Sequence, residues 1–202
     1  DFNRRYVNTL SANVSRTYRS RMRYTSRENI SKTVSRHNSF NMINPEIYYE
    51  AHPDWFSRDA KDGKYPSQLC YTNKEMIAEY IKNLKEAIRK EPNRTTYYLQ
   101  WEDNVKYCEC ESCLEGLRKY KNYGGINCVF MNIVAEEVQK WIETDLPGRK
   151  VNFKTIAYYA TDQAPVEKND DGTYSPVCEE VVTRPDVSVL VWLINNKLRH
   201  KS

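Results

Sequence analysis

Between residues 73 and 194 the chain switches repeatedly between two hydrophobic periods, and that alternation limits the folds open to it more than any other feature. Asn73 can cap a helix. Met76, Ile77, Tyr80, Ile81, Leu84, Ala87 and Ile88 then recur at helical spacing until Pro92 stops the run. Residues 95–100 (TTYYLQ) read as a strand. A second helix is expected from near Ile126, with Val129, Phe130, Ile133, Val134, Val138, Trp141 and Ile142 as its apolar stripe and Pro147-Gly148 as its close. Residues 151–159 (VNFKTIAYY) and 187–194 (VSVLVWLI) are further strands. The latter is the most apolar of all, so burial on both faces is expected for it.

Weaker strand candidates lie at residues 4–8 and 31–40, the second with His37 and Asn38 near its end. Residues 44–63 read as a loop punctuated by Asn44-Pro45, His52-Pro53 and Asp62-Gly63. Residues 166–183 read as a surface excursion turning at Asp170-Asp171-Gly172. Strands that alternate with helices pair in parallel, so the expected class is α/β, of the TIM-like (β/α) barrel type. About five strands are visible where a closed barrel has eight. The expectation is therefore a single domain over residues 1–202, forming the central part of a larger (β/α)8 catalytic barrel.

Barrels of this kind carry their chemistry where strands end and loops begin. The strand at 95–100 runs through Trp101 into two adjacent acids, Glu102 and Asp103, and then into a cysteine loop, Cys108-x-Cys110-x-x-Cys113. With Cys70 these cysteines admit three readings: a four-sulfur structural zinc site, one or two disulfides in an exported protein, or free buried thiols. No metal is favoured, and no cofactor is expected beyond that structural zinc. Under each reading the cluster is architectural, because a nucleophilic cysteine needs a nearby base and His37, His52 and His200 are all remote in sequence.

Sixteen tyrosines suit the recognition of sugars or rings, since each combines a flat apolar face with a polar tip. The net charge of +4 is uneven. Arg4, Arg5, Arg16, Arg19, Arg21, Arg23 and Arg27 face one acid, Asp1, over the first 27 residues. Such a run can bind polyanions. Interruption by Tyr6, Val7, Leu10, Val14, Tyr18 and Met22 instead favours a surface with some buried ion pairs. No run approaches the roughly 18 apolar residues of a membrane span. The opening Asp-Phe-Asn-Arg-Arg is not a signal peptide, so the numbering is expected to start inside a longer precursor.

Several short motifs occur in a recognisable order: His37-Asn38-Ser39-Phe40, His52-Pro53-Asp54-Trp55-Phe56, Gly63-Lys64, Gln68-Leu69-Cys70 with Asn73, and Asp103-Asn104 ahead of the cysteines. Over residues 2–194 the chain resembles the bacterial domain of unknown function 4838, found in secreted multidomain proteins of gut Bacteroidetes. Part of that group is glycoside hydrolase family 163, endo-β-N-acetylglucosaminidases acting on complex N-glycans. The resemblance implies a TIM-like barrel, a glycan as partner, and a secreted, periplasmic or outer-membrane-surface location in a bacterium. It implies neither nucleic acid nor an oligomeric state. Many members carry Asn before the Asp at the strand end, whereas this chain has Glu102-Asp103.

A second carboxylate at that point strengthens the hydrolase expectation. Glycosidases need an acid for the leaving oxygen and a group opposite it to meet the positive anomeric carbon. With a 2-acetamido sugar the substrate's own carbonyl oxygen can be that group, and a carboxylate then orients its N–H. The expected mechanism is substrate-assisted and retaining, with Glu102 as general acid/base and Asp103 as orienter; the reverse assignment stays open. Neighbouring strand residues face opposite ways, so both acids reach one ligand only if the chain bends after Trp101. Burial beside Trp101 would raise the pKa of the acid. His37, Trp101, Tyr158, Tyr159, Trp192 and Asn195 are candidate substrate contacts, and residues 52–56 read as a packed loop anchor. The competing expectations are a non-catalytic carbohydrate-binding barrel and, last, an anion- or nucleic-acid-binding module built on the arginines.

Overall fold

The computed structural model describes residues 37–59 and 65–191. The chain divides into two units, Asp1–Ser35 and Arg36–Ser202, and every described residue belongs to the second. The strand candidate at 4–8, most of that at 31–40, the arginine-rich run, Trp192 and Asn195 lie outside the described residues.

Two one-turn helices, α1 (Ser39–Met42) and α2 (Pro45–Tyr48), lead into the long helix α3 (Lys74–Lys90). Asn73 caps α3 as its side-chain type predicts, accepting from the Met76 N–H at 3.0 Å. Met76, Ile77, Tyr80, Ile81, Leu84 and Ile88 form its buried stripe. Strand β1 (Thr96–Tyr98) follows, then α4 (Glu111–Tyr120), α5 (Tyr123–Asp145) and β2 (Asn152–Ala157). A hairpin of β3 (Val166–Lys168) and β4 (Tyr174–Pro176) precedes β5 (Val187–Val191).

The architecture is mixed α/β. Strands β1, β2 and β5 form a parallel sheet in that order, with Thr96 opposite Asn152 and Phe153 opposite Val187. No closed barrel forms among the described residues. The hairpin is the expected surface excursion: Gly172 takes φ +84° at its turn, where the Asp171 carboxylate accepts from the Thr173 N–H at 2.9 Å.

The core lies between α3, α5 and the sheet. Its centre is an aromatic column in which Phe130 stacks on Tyr71 (centroids 4.0 Å) and meets Tyr80 edge-on (5.2 Å). Trp101 covers the other face of Tyr71 at 4.5 Å.

Several sequence expectations need correction: α1 begins at Ser39, inside the strand expected at 31–40, and α2 lies within the loop expected at 44–63. No helix is expected between the cysteine loop and Ile126, yet residues 111–120 form α4; only Cys113 and Gly116 of this helix are buried, so it has no apolar stripe to announce it. Helix α5 starts at Tyr123, three residues before the expected position. Asn122 caps it, accepting from the Gly125 N–H at 2.9 Å. The Gly124-Gly125 pair is there for closeness, since a Cβ on Gly125 would sit 2.5 Å from the Tyr120 carbonyl oxygen. Finally, β5 is not buried on both faces: Val187 is covered, but Val189, Leu190 and Val191 are 37%, 48% and 57% exposed. Among the described residues β5 pairs only with β2 and is an edge strand.

Candidate active site at the C-terminal edge of the sheet

Because β1 and β2 run parallel, their C-terminal ends open on the same edge of the sheet. β1 delivers Trp101, Glu102 and Asp103 there, and β2 delivers Tyr158 and Tyr159. His37 and Asn38 lie alongside the end of β1, held by side chains as well as backbone. The Asn38 amide donates to the Tyr98 carbonyl (2.6 Å) and accepts from the Gln100 N–H (3.1 Å), while the His37 N–H donates to the Gln100 side-chain oxygen (3.2 Å). Backbone groups at and beyond the end of β1 thus bond to amide side chains.

After Trp101 the backbone bends, as two acids sharing one ligand require, and the Asn104 N–H donates back to the Glu102 carbonyl at 2.8 Å. Gln68 holds the bend. Its oxygen accepts from the Glu102 N–H (3.0 Å), and its nitrogen donates to the Glu102 carbonyl (2.8 Å) and to the Asn104 side chain (2.9 Å). Glu102 Oε1 accepts from the Ser39 hydroxyl at 2.9 Å and from the Phe40 N–H at 3.0 Å. Oε2 has no hydrogen-bond partner among the described residues.

Burial is the main influence on the acidity of Glu102 and raises its pKa above the usual carboxylate value. The Phe40 and Ser39 donors and nearby His37 oppose that rise without cancelling it. Beneath it the phenols of Tyr71 and Tyr80 are pushed up by burial and also by the negative charge of Glu102, so they stay protonated.

Asp103 is exposed, and its Oδ1 lies 3.8 Å from His37 Nε2. His37 Nδ1 sits 2.9 Å from the Trp101 carbonyl oxygen, so Nδ1 carries the proton and Nε2 faces the carboxylate. His37 and Tyr159 adopt positive φ (63° and 51°), conformations uncommon away from glycine. The Tyr158 ring is 6.2 Å from the His37 ring and 4.1 Å from that of Tyr159. The Tyr158 phenol is raised to about 12, first by its hydrogen bond with Tyr159, then by burial and the Asp103 charge.

Of the sequence-predicted site residues, His37, Glu102, Asp103, Tyr158 and Tyr159 therefore gather at one edge. Trp101 does not present its ring there: the indole is buried, stacked on Tyr71 and edge-on to Tyr107, and only its carbonyl serves the site. The residues that sequence reasoning missed are Ser39, Asn38 and Gln68. Their types carry no catalytic signal, and the available hint was their place in the His-Asn-Ser-Phe and Gln-Leu-Cys motifs. The 52–56 anchor packs as expected, with His52 stacked on Trp55 at 4.0 Å.

Behind the acid-bearing loop lies the sulfur cluster. A short antiparallel bridge pairs Phe56 with Leu69, and the Cys70 N–H donates to the Trp55 carbonyl at 2.8 Å. Side chains two apart on such a segment share a face. Gln68 therefore turns toward the bend at Glu102 and Cys70 toward Cys108, Cys110 and Cys113, while Leu69 enters the core. All four Sγ atoms lie within 4.8 Å of one another, and all six cysteines are free thiols. Hydrogen bonds from neighbouring thiols depress Cys70, whereas Cys108 is pushed up by those same shared bonds and by burial.

A parallel α/β sheet whose C-terminal edge gathers two carboxyl groups, a histidine and two tyrosines defines the general class. The chain belongs to the family described as Domain of unknown function (DUF4838), whose model matches residues 2–172. No curated protein and no solved structure matches it. No helix among the described residues is long and apolar enough to cross a membrane.

Proposed function

We propose that this chain is part of a glycoside hydrolase for N-acetylhexosamine-containing glycans, endo-β-N-acetylglucosaminidase-like, working by a substrate-assisted, retaining mechanism. The observation that carries the reading is Glu102, a half-buried carboxyl group with raised pKa at the C-terminal edge of a parallel sheet, beside the exposed Asp103–His37 pair. In the first step the acetamido carbonyl oxygen of the substrate attacks the anomeric carbon. The glycosidic bond breaks, and Glu102 gives its proton to the leaving oxygen. Asp103, beside His37, orients the acetamido N–H and offsets the charge developing on the ring. Water then attacks the anomeric carbon, giving one proton to Glu102 as the bond to the acetamido oxygen breaks, and the two successive displacements retain configuration.

Tyr158 and Tyr159 supply hydroxyl groups and ring faces beside that position, and Trp192 and Asn195 are the contacts expected from the end of β5. The neighbouring parallel strands, with helices between β1 and β2, fit an arc of a TIM-like barrel. A bacterial cell-surface or secreted location goes with this reading. The second reading is a non-catalytic glycan-binding barrel. It is favoured by the two donors on Oε1, which stabilise the carboxylate rather than the acid.

The deciding experiment is digestion of an N-glycan panel by the intact protein, read by mass spectrometry. Glu102→Gln should lower turnover by roughly 10²–10⁴-fold with glycan binding retained. Glycan binding with no turnover by the wild type would establish the second reading, and neither binding nor turnover would reject both.

A further inference from the structure

The sulfur cluster is not used by the proposed chemistry, and its geometry is specific. Cys70 Sγ lies 3.6 Å from Cys110 Sγ and 3.7 Å from Cys113 Sγ, and all pairs among the four sulfurs fall within 4.8 Å. A disulfide would bring one pair to about 2.05 Å and leave the others out of the group. A single tetrahedral ion with metal–sulfur bonds of about 2.3 Å sets its ligands about 3.8 Å apart, from the edge of the tetrahedron. The separations here resemble that figure, and the cysteines form one quartet rather than two pairs. Polynuclear clusters hold their cysteine sulfurs further apart than a single ion does.

The surroundings fit the same occupant. Cys70, Cys108 and Cys113 are buried and Cys110 is half-buried, so the quartet sits largely out of water. The Thr72 hydroxyl lies 3.1 Å from Cys113 Sγ and 3.4 Å from Cys70 Sγ, placed as an outer contact to the ligands. Cys110 is the N-cap residue of α4, where the helix dipole favours negative sulfur. Four thiolates this close would repel one another strongly unless a cation sat among them.

We infer that Cys70, Cys108, Cys110 and Cys113 bind one zinc ion as a four-thiolate structural site. Each thiol that is protonated gives its proton to solvent as the ion binds, and no redox partner is needed. The ion fastens the loop after β1 to the segment at residues 68–70, whose Gln68 holds the Glu102 backbone. It therefore braces the acid-bearing bend from behind and takes no part in bond breaking. The site stands or falls independently of the glycosidase proposal.

The test is elemental analysis of the intact protein purified without chelators, with an organomercurial used to release the metal into a chromogenic chelator. The expected result is about one zinc per chain, released only when the thiols are blocked. Cys70→Ser and Cys113→Ser should each lose most of it, while Cys128→Ser, which lies outside the quartet, should keep it. Should the serine variants fail to fold, cobalt titration of metal-stripped wild type replaces them, with an endpoint near one equivalent and the intense absorption of tetrahedral thiolate coordination. Wild type that carries no metal and takes up no cobalt would overturn the site. So would a mass lower by two or four hydrogens, which marks disulfides, or stoichiometric iron in place of zinc.

Discussion

Gln68→Ala should destabilise the protein by about 2–4 kcal/mol, and the figure follows from what the Gln68 amide touches. The side chain is buried and satisfies both the N–H and the carbonyl of Glu102, together with the side-chain oxygen of Asn104. Truncation leaves the Glu102 N–H without its partner, at about 1–3 kcal/mol, and takes one of two donors from the Glu102 carbonyl, which keeps the Asn104 N–H, at about 0.5–1.5 kcal/mol. A water molecule entering the vacated space would recover part of that and hold the loss below the sum of the upper values. In a chain of this length the loss corresponds to a fall in Tm of roughly 4–16 °C. Urea unfolding, followed by the fluorescence of the buried tryptophans, measures it, with an unchanged m-value showing that only stability has moved. Gln68 grips the main chain of Glu102, not its carboxyl group, so the loss should persist in a Glu102→Gln background. A loss below about 1 kcal/mol, or one that vanishes in that background, would refute the assignment of Gln68 as the residue that sets the bend.

The remaining predictions concern the core, a helix cap and the titration of the acid. Phe130→Ala removes the ring between Tyr71 and Tyr80 and should cost about 3–5 kcal/mol in urea unfolding, because Tyr71, stacked on it, and Tyr80, edge-on to it, are rigid rings that cannot collapse into the space. Asn73→Ala removes the cap of α3 together with the amide's bond to the Asp54 carboxylate and should cost about 1–2 kcal/mol in the same assay, with Asn73→Asp recovering little because it sets a second carboxylate against Asp54. For pH, the folded pKa of Glu102 lies above its unfolded value of 4.5. The stability linked to its proton is therefore fully present below about pH 4.5 and is lost as pH rises through the folded value. Wild type and Glu102→Gln should thus match most closely in acid, and the variant should gain relative stability across that window and then level off. Unfolding curves for both proteins across the window would show it, and a difference that is flat or of opposite slope would contradict the raised pKa.

What could be read from the sequence was set by whether a signal is local. The cap at Asn73, the stripe of α3, strands β1 and β2 and the turn at Gly172 are written in consecutive residues, and the structure has them where local chemistry puts them. The bend after Trp101 was also legible, as a condition for two adjacent acids to share a ligand. Helix α4 was hidden because its buried contribution is Cys113 and Gly116, neither of which marks a helix. Edge exposure of β5 was hidden because apolarity reports what could be buried and not what lies alongside. The indole of Trp101 was misplaced for a related reason: an aromatic next to two acids looks like a site wall, but the bend that turns the acids outward leaves the tryptophan behind with Tyr71. Gln68 and Ser39 were illegible as site residues, since a glutamine 34 positions from Glu102 becomes its support only once Phe56 and Leu69 have paired.

The division of labour around the two acids also explains why they suit different roles. Glu102 is gripped twice, by Gln68 through its backbone and by Ser39 and Phe40 through one oxygen, which leaves the other oxygen free of protein partners among the described residues. Its pKa reflects opposed influences, burial raising it and donors lowering it, with burial prevailing. A ligand laid over this edge would exclude more water and push the same balance further toward the acid form, so occupancy itself would prepare the proton donor. Asp103 has no such enclosure. It stands in solvent with His37 at its side, a setting open to a polar N–H or to positive charge on a ligand. On the proposed reading, this contrast in enclosure matches Glu102 to the acid/base role and Asp103 to the orienting one.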